Sequence, residues 1–120
     1  MIRWIEAILA AFLVRGEIID HDLGGYIGAR AVVVPLEWVE IRGVCGSACT
    51  MHLAHGCIHP GATLIFHGPQ TTDPAAFDHW SAVMARHYPP AIAAWFMQTG
   101  RYGEWTMTGA TAIAWGARGC

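Results

Sequence analysis

The chain has 120 residues, of which 54% are hydrophobic and 13% are charged, and its formal net charge at pH 7 is -2. This length fits a single domain with one modest core, and the composition is too apolar for an intrinsically disordered chain. The near-neutral charge gives no basic patch, so we expect no nucleic-acid partner. Because a short chain this apolar has hydrophobic surface to cover, we expect a homo-oligomer.

Residues 1–15 form a short apolar segment with one early positive charge, Arg3. This pattern is typical of an N-terminal helix that packs on the domain, with an export signal or an interfacial membrane anchor as the alternative. Glu6 interrupts the apolar run, which is too short to span a bilayer. The sequence therefore does not decide the cellular compartment, and export or membrane association through residues 1–15 is one option. Residues 16–120 are predicted to form one domain.

Predicted strands and helices alternate along the rest of the chain. Alternating or apolar runs with β-branched residues predict strands at 16–21, 38–44, 57–58 and 63–66. Apolar residues at helical spacing, bounded by glycine and proline, predict helices at 26–34, 47–54, 75–87, 90–98 and 108–115. This order indicates an α/β fold with a short, largely parallel sheet and flanking helices.

Two turns of small residues follow the first and second predicted strands. Gly24 and Gly25 form one turn, and Gly46 precedes Ser47 in the other. In an open parallel sheet the carboxyl ends of the strands meet at one edge, where ligands usually bind. We therefore expect the two turns to face one site.

Ser47 is a candidate nucleophile at the start of the predicted helix 47–54. A serine hydroxyl needs a nearby base and donors for the negative charge that develops on the substrate oxygen. The N–H of Ala48 is unpaired at a helix start and would supply one donor, and the N–H of Gly24 or Gly25 would supply a second. A helix N-cap is the simpler interpretation of Ser47.

His67 is the candidate base, because it ends an apolar strand and begins a Gly-Pro loop. A hydrogen-bonded structural histidine is the alternative interpretation. Neither Ser47 nor His67 alone is strong evidence for a catalytic site. The stronger evidence is the order of the motifs in which these two residues occur.

The four cysteines occupy positions 45, 49, 57 and 120. An even count in a short chain is typical of disulfide bonds in an exported protein, and spacing leaves all three full pairings open. Buried free thiols are one alternative. A zinc-binding domain is another, because thiol and imidazole groups crowd into one run: Cys45, Cys49, His52, His55, Cys57 and His59.

Four motifs occur in the same order as in the proteolytic subunit of Clp protease, within the crotonase-like superfamily. They are Leu23-Gly24-Gly25, Gly43-Val44-Cys45-Gly46-Ser47-Ala48, Phe66-His67-Gly68-Pro69 and Met107-Thr108-Gly109-Ala110. The chain resembles this family over about residues 17–119. It resembles more closely a small bacterial and phage branch with a Cys-x-Ser-Ala-Cys-Thr segment.

The resemblance implies a serine peptidase that hydrolyses peptides or unfolded proteins without a cofactor or metal. Ser47 would be the nucleophile and His67 the base, with Ala48 and Gly24 or Gly25 as oxyanion donors. The orienting carboxylate of the family is best matched by Glu104, with Asp78 as a weaker substitute. The resemblance also implies that Cys57 lies near Cys120 and pairs with it.

Two departures from the family pattern bear on function. Leu23 stands where the family has proline, and the chain lacks the N-terminal region through which Clp subunits meet their unfoldase ring. We therefore expect a domain truncated at the N-terminus, and a chaperone ATPase partner is doubtful. A catalytically inactive crotonase-fold protein that binds a partner is the main competing interpretation.

Overall fold

The computed structural model describes residues 16–120. The interpretation of residues 1–15 as a packed helix, a signal or an anchor lies outside the described residues. In the described range the chain is an α/β domain whose mixed sheet has five strands. None of the helices in this range is long and apolar enough to cross a membrane.

The five strands occupy one sheet. They are β1 (Gly16–Asp22), β2 (Trp38–Gly46), β3 (Gly56–Ile58), β4 (Thr63–His67) and β5 (Glu104–Thr108). The order is β1-β2-β4-β5, and β3 pairs with the first half of β2 while β4 pairs with its last residues. The pairs of β1, β3 and β4 with β2 are parallel, whereas β4 and β5 are antiparallel.

The helices connect these strands. They are α1 (Ile27–Val33), α2 (Pro74–Ala85), α3 (Pro90–Trp95) and α4 (Gly109–Ala114), with 3-10 helices at Val34–Leu36 and Ser47–His55 and a π-helix at Phe96–Gly100. Pro35 lies inside the first 3-10 helix, since its missing N–H and ring cannot continue α1. The side chain of Thr108 caps α4 by accepting a hydrogen bond from Thr111 N–H, as its position before the helix predicts.

The predicted strands and helices are found within a few residues of their expected bounds, with four differences. The segment after Ser47 is a 3-10 helix rather than an α-helix, and α2 ends at Ala85. The predicted helix 90–98 is α3 followed by the π-helix, and the chain forms a strand, β5, that was not predicted from the sequence. β5 is a short edge strand whose residues alternate between polar and apolar, but only Met107 is buried and Trp105 stays exposed.

The core lies between the sheet and the helices. Val39, Ile41, Leu64 and Phe66 of the central strands are completely buried, as strand alternation predicts for one face of a half-covered sheet. Large apolar side chains also stay exposed, including Tyr26 at 89% and Val32 at 67%. The homo-oligomer stays a prediction, and these side chains are the surface it would cover.

Candidate active site

Ser47 occupies a strained turn between β2 and the 3-10 helix that follows. Its φ is 54°, and it is the only non-glycine residue in the range 16–120 with a positive φ. This left-handed conformation costs on the order of 1–3 kcal/mol and clusters at functional sites. A sharp strand-to-helix turn is also the geometry that exposes the nucleophile in many serine hydrolases. The half-buried side chain of Ser47 lines the main cleft of the domain.

A disulfide between Cys45 and Cys49 spans the Ser47 turn. Both cysteines are completely buried, one at the end of β2 and the other in the 3-10 helix. The bond therefore ties the two elements on either side of the strained residue. The hydroxyl of Thr50 adds a local hydrogen bond to the carbonyl of Ser47 at 2.6 Å.

The paired substitution Cys45→Ala and Cys49→Ala tests this tie. Closing a loop of this length stabilises a fold by about 2 kcal/mol in the chain-entropy model, so we expect urea unfolding to reveal a loss of that size. We also expect Ser47 to react more slowly with an active-site probe, because its turn is less constrained. An unchanged probe rate in the folded double variant would mean that the disulfide does not hold the turn.

The Gly24–Gly25 turn packs directly against Ser47. Gly24 has a φ of 105°, and a Cβ added there would lie 2.7 Å from Ser47 Cβ and 3.0 Å from Ala48 N. Only glycine permits this approach at this backbone conformation. The two small-residue turns therefore meet, as the edge-of-sheet argument predicts.

An ion pair between Asp22 and Arg30, which we call the clamp, fixes the Gly24–Gly25 turn. Arg30 of α1 pairs with Asp22 at 2.8 Å and donates a second hydrogen bond to the carbonyl of Gly24 at 3.0 Å. Asp22 in turn accepts from Gly24 N–H at 2.8 Å. Burial acts to raise the pKa of Asp22, but the hydrogen bonds from Arg30 and Gly24 outweigh it and hold the pKa below its usual value.

This clamp distinguishes the two glycines proposed as oxyanion donors. Gly24 N–H already donates to Asp22, so it is not available to a substrate in this conformation. Gly25 lines the cleft beside Ser47, and Ala48 is the second residue of the 3-10 helix, where backbone N–H groups lack helical partners. The N–H groups of Gly25 and Ala48 are therefore the better candidate pair.

His52 extends the clamp into the core. Its Nε2 lies 3.0 Å from Arg30, and because a guanidinium only donates, Nε2 must be the acceptor and the ring proton must sit on Nδ1. His52 is 2% exposed and its Nδ1 has no hydrogen-bond partner among the described residues. Burial, followed by the nearby positive charge of Arg30, lowers the pKa of His52 to about 4.

His67 ends β4 and faces the same cleft as Ser47, a space of about 690 Å³ between α1, α2 and the sheet edge. Its Nδ1 lies 2.8 Å from the carbonyl oxygen of Gly68. A carbonyl only accepts, so Nδ1 carries the proton and Nε2 is left with its lone pair. That is the tautomer a general base requires. Trp80 and Tyr26 contribute aromatic walls to the cleft.

Among residues 16–120, no carboxylate forms a hydrogen bond or an ion pair with His67. Glu104 is directly opposite His67 in the antiparallel register of β4 and β5, yet it is exposed and the His67 ring bonds the Gly68 carbonyl instead. Asp78 is ion-paired with Arg101 at 2.8 Å. Within residues 16–120 no hydrogen bond joins Ser47 to His67, although both side chains line the same cleft.

The crowded run of cysteines and histidines does not converge on one point. Cys45 bonds Cys49, His52 bonds Arg30, and His55 Nδ1 bonds the carbonyl of Glu37 at 2.8 Å. The six residues of the run therefore divide among separate contacts, so the run as a whole does not form one zinc site, which was the alternative interpretation.

Cys57 bonds Cys120, which confirms the pairing expected from the resemblance and the expectation of disulfides. The described residues contain no free cysteine.

The sequence analysis missed the clamp formed by Asp22, Arg30 and His52. An acid two residues before a pair of glycines, with an arginine eight positions after the acid, is a usable signal. Nothing in the sequence shows that α1 folds back over the turn.

Scans of protein-family models and a search of curated proteins find no match to this chain.

Proposed function

We propose that this chain is a serine peptidase that hydrolyses peptide bonds through an acyl-enzyme on Ser47, with His67 as general base. The observation that carries the proposal is the strained, non-glycine turn at Ser47, which opens onto the cleft that His67 also lines. Strain at a residue of this chemistry indicates a reactive group. The domain would be a Clp-protease-like member of the crotonase-like superfamily, supported by the mixed sheet and the order of the four motifs.

The proposed mechanism uses groups of this chain alone. Ser47 Oγ attacks the scissile carbonyl carbon while Nε2 of His67 takes its proton. The developing oxyanion accepts hydrogen bonds from Ala48 N–H and Gly25 N–H. The imidazolium then gives its proton to the leaving amine, and a water activated by the same ring releases the acyl group.

In this scheme Gly68 takes the orienting role of the family's carboxylate. Its carbonyl fixes the proton on Nδ1 of His67 and its dipole stabilises the imidazolium. This mechanism requires Oγ and Nε2 to meet in the substrate complex, as catalytic hydrogen bonds that are long in ligand-free enzymes do. Glu104 is the register partner of His67 on the neighbouring strand β5.

The alternative function is a catalytically inactive protein that binds a peptide or partner in the same cleft. The observation that favours it is that Glu104 and His67, although register partners, form no hydrogen bond, whereas the resemblance implies a carboxylate bonded to the histidine. The aromatic walls of the cleft suit a binding role as well as a peptidase.

A fluorophosphonate probe separates these two functions. Ser47 and Ser81 are the two serines of the chain, and Ser81 is completely buried. We expect the probe to label the wild-type protein and the Ser81→Ala variant, but not Ser47→Ala. We expect His67→Ala to label at least a hundredfold more slowly, because the loss of a general base costs about 10²–10⁴. Equal labelling of wild type and Ser47→Ala, or none at all in folded wild type, would overturn the peptidase proposal.

A further inference from the structure

A second cluster of reactive side chains lies on the sheet near the start of β2, at the opposite end of this strand from the Ser47 turn. Ligand atoms of Glu40, His59 and Cys120 lie within 4.8 Å of one another, and Cys57 is bonded to Cys120. His59 Nε2 and Glu40 Oε1 are 2.6 Å apart. We propose that Glu40, Cys57, His59 and Cys120 form a zinc site when the Cys57–Cys120 disulfide is reduced.

The backbone holds these residues together independently of the disulfide. Glu40 and Cys57 are register partners in the parallel β2–β3 pair, so their side chains lie on the same face. His59 is two residues beyond Cys57, which returns its side chain to that face by strand alternation.

The segment that ends in Cys120 is hydrogen-bonded to β3. Ile58 N–H donates to the Arg118 carbonyl at 2.9 Å, and Cys120 N–H donates to the Ile58 carbonyl at 3.1 Å. Breaking the sulfur–sulfur bond would therefore leave both thiols next to His59 and Glu40.

The donor set fits zinc better than other common ions. Two thiolates, one imidazole and one carboxylate are all zinc ligands, and four of them complete a tetrahedron. Thiolate excludes a preference for calcium or magnesium. Metal–ligand bonds of about 2.0–2.3 Å put tetrahedral ligands roughly 3.3–3.8 Å apart. The two sulfurs and the His59–Glu40 pair would therefore move apart, and the ligand atoms that now lie up to 4.8 Å apart would approach by about 1 Å.

Arg42 supplies a supporting charge. It contacts Glu40 Oε1 at 3.1 Å, and zinc with two thiolates and one carboxylate carries a net charge of -1, which this guanidinium offsets. Arg42 and Cys120 are exposed, so a metal ion has a path to the site from solvent.

The chemical step balances with a dithiol reductant. The reductant transfers two electrons and two protons to the Cys57–Cys120 bond, becomes a disulfide itself, and leaves two thiols on the chain. Zinc then displaces the two thiol protons and binds both sulfurs as thiolates, without any change in its own oxidation state. In a reducing compartment the chain would therefore exchange this covalent link for a metal link.

Metal titration of the full chain tests the proposal, using zinc and, as an optical probe, cobalt(II). We expect the reduced protein to bind one zinc ion and to give the absorption of tetrahedral, thiolate-bound cobalt. We expect the oxidised protein to bind neither. His59→Ala and Glu40→Gln should each weaken binding at least tenfold, and His55→Ala is the matched control because His55 lies outside the cluster and bonds the Glu37 carbonyl.

The paired variant Cys57→Ser and Cys120→Ser assigns the sulfurs. We expect it to lose zinc binding, whereas wild-type Cys57 and Cys120 should be protected by zinc from alkylation. If reduction unfolds the chain, zinc should restore its circular dichroism in wild type and not in the paired variant. Failure of reduced wild type to bind stoichiometric zinc, or equal binding by the paired variant, would overturn the proposal, whatever the fluorophosphonate result.

Discussion

Replacing Gly24 by alanine is expected to reduce peptide hydrolysis and probe labelling by about 10²–10³-fold, because the added Cβ would displace Ala48 N–H, a proposed oxyanion donor, and losing one such donor costs about this much. The added Cβ would lie 2.7 Å from Ser47 Cβ and 3.0 Å from Ala48 N, at a φ of 105°. Something must therefore move, and the atoms nearest the new Cβ belong to the proposed nucleophile turn. We also expect the free energy of unfolding to fall by about 3 kcal/mol from overpacking and backbone strain together.

Two other glycines serve as controls for this substitution. Gly61 has no atoms within 4 Å of an added Cβ and an unremarkable φ, so Gly61→Ala should change unfolding by less than about 0.5 kcal/mol. Gly25 has equally open surroundings but a φ of 143°, so the unfolding free energy of Gly25→Ala measures backbone strain without the clash; its activity is not a control, because Gly25 N–H is itself a proposed oxyanion donor. If Gly24→Ala behaved like Gly61→Ala, the turn would not be packed against Ser47 as described.

Acidification from pH 6.5 to 4 is expected to destabilise the fold by about 3 kcal/mol through His52 alone. The pKa of His52 falls from 6.5 to about 4 on folding because the ring is buried beside Arg30. Between these pH values the unfolded chain binds a proton at His52 that the folded chain does not. Stability therefore falls as the pH falls through this window, and the contribution is complete above pH 6.5.

Urea unfolding at several pH values isolates this contribution. His52→Gln keeps an acceptor for Arg30 but cannot titrate, so its stability should change less between pH 6.5 and 4 than that of wild type. His55→Gln is the matched control, since His55 is half-buried and hydrogen-bonded outside the clamp. Parallel pH curves for wild type and His52→Gln would mean that His52 is solvated in the folded state.

Sequence periodicity was sufficient to predict most of the fold, because the core-forming strands carry their signal locally. β2 and β4 alternate buried and partly buried residues, and the cap at Thr108 needs only its own neighbours. β5 also alternates polar and apolar residues, but over only five residues, and its Trp105 stays exposed. Its position is fixed by the antiparallel pairing with β4, in which Met107 is the register partner of Leu64, and that pairing is not visible in the five residues alone.

In the candidate site, too, the features that depend on local sequence were predictable and those that depend on packing between distant elements were not. Ser47, Ala48 and the two glycines were predictable, since turns after parallel strands share an edge. Arg30 was not, because its role depends on the angle at which α1 returns over the turn. Glu104 was assigned by alignment with a motif, and a register position opposite His67 does not determine where a flexible, exposed side chain points.

The Cys57–Cys120 bond also determines how the molecule responds to being cut. It closes a covalent ring over a sequence separation of 63 residues, and that ring includes the exposed stretch from Gln70 to Asp73 beside the cleft. A single backbone cleavage there leaves two pieces that remain joined through sulfur, one with Ser47 and His67 and the other with β5 and α4. An oxidised chain nicked once in this loop keeps its mass, apart from one added water, and comes apart only when a reductant is added.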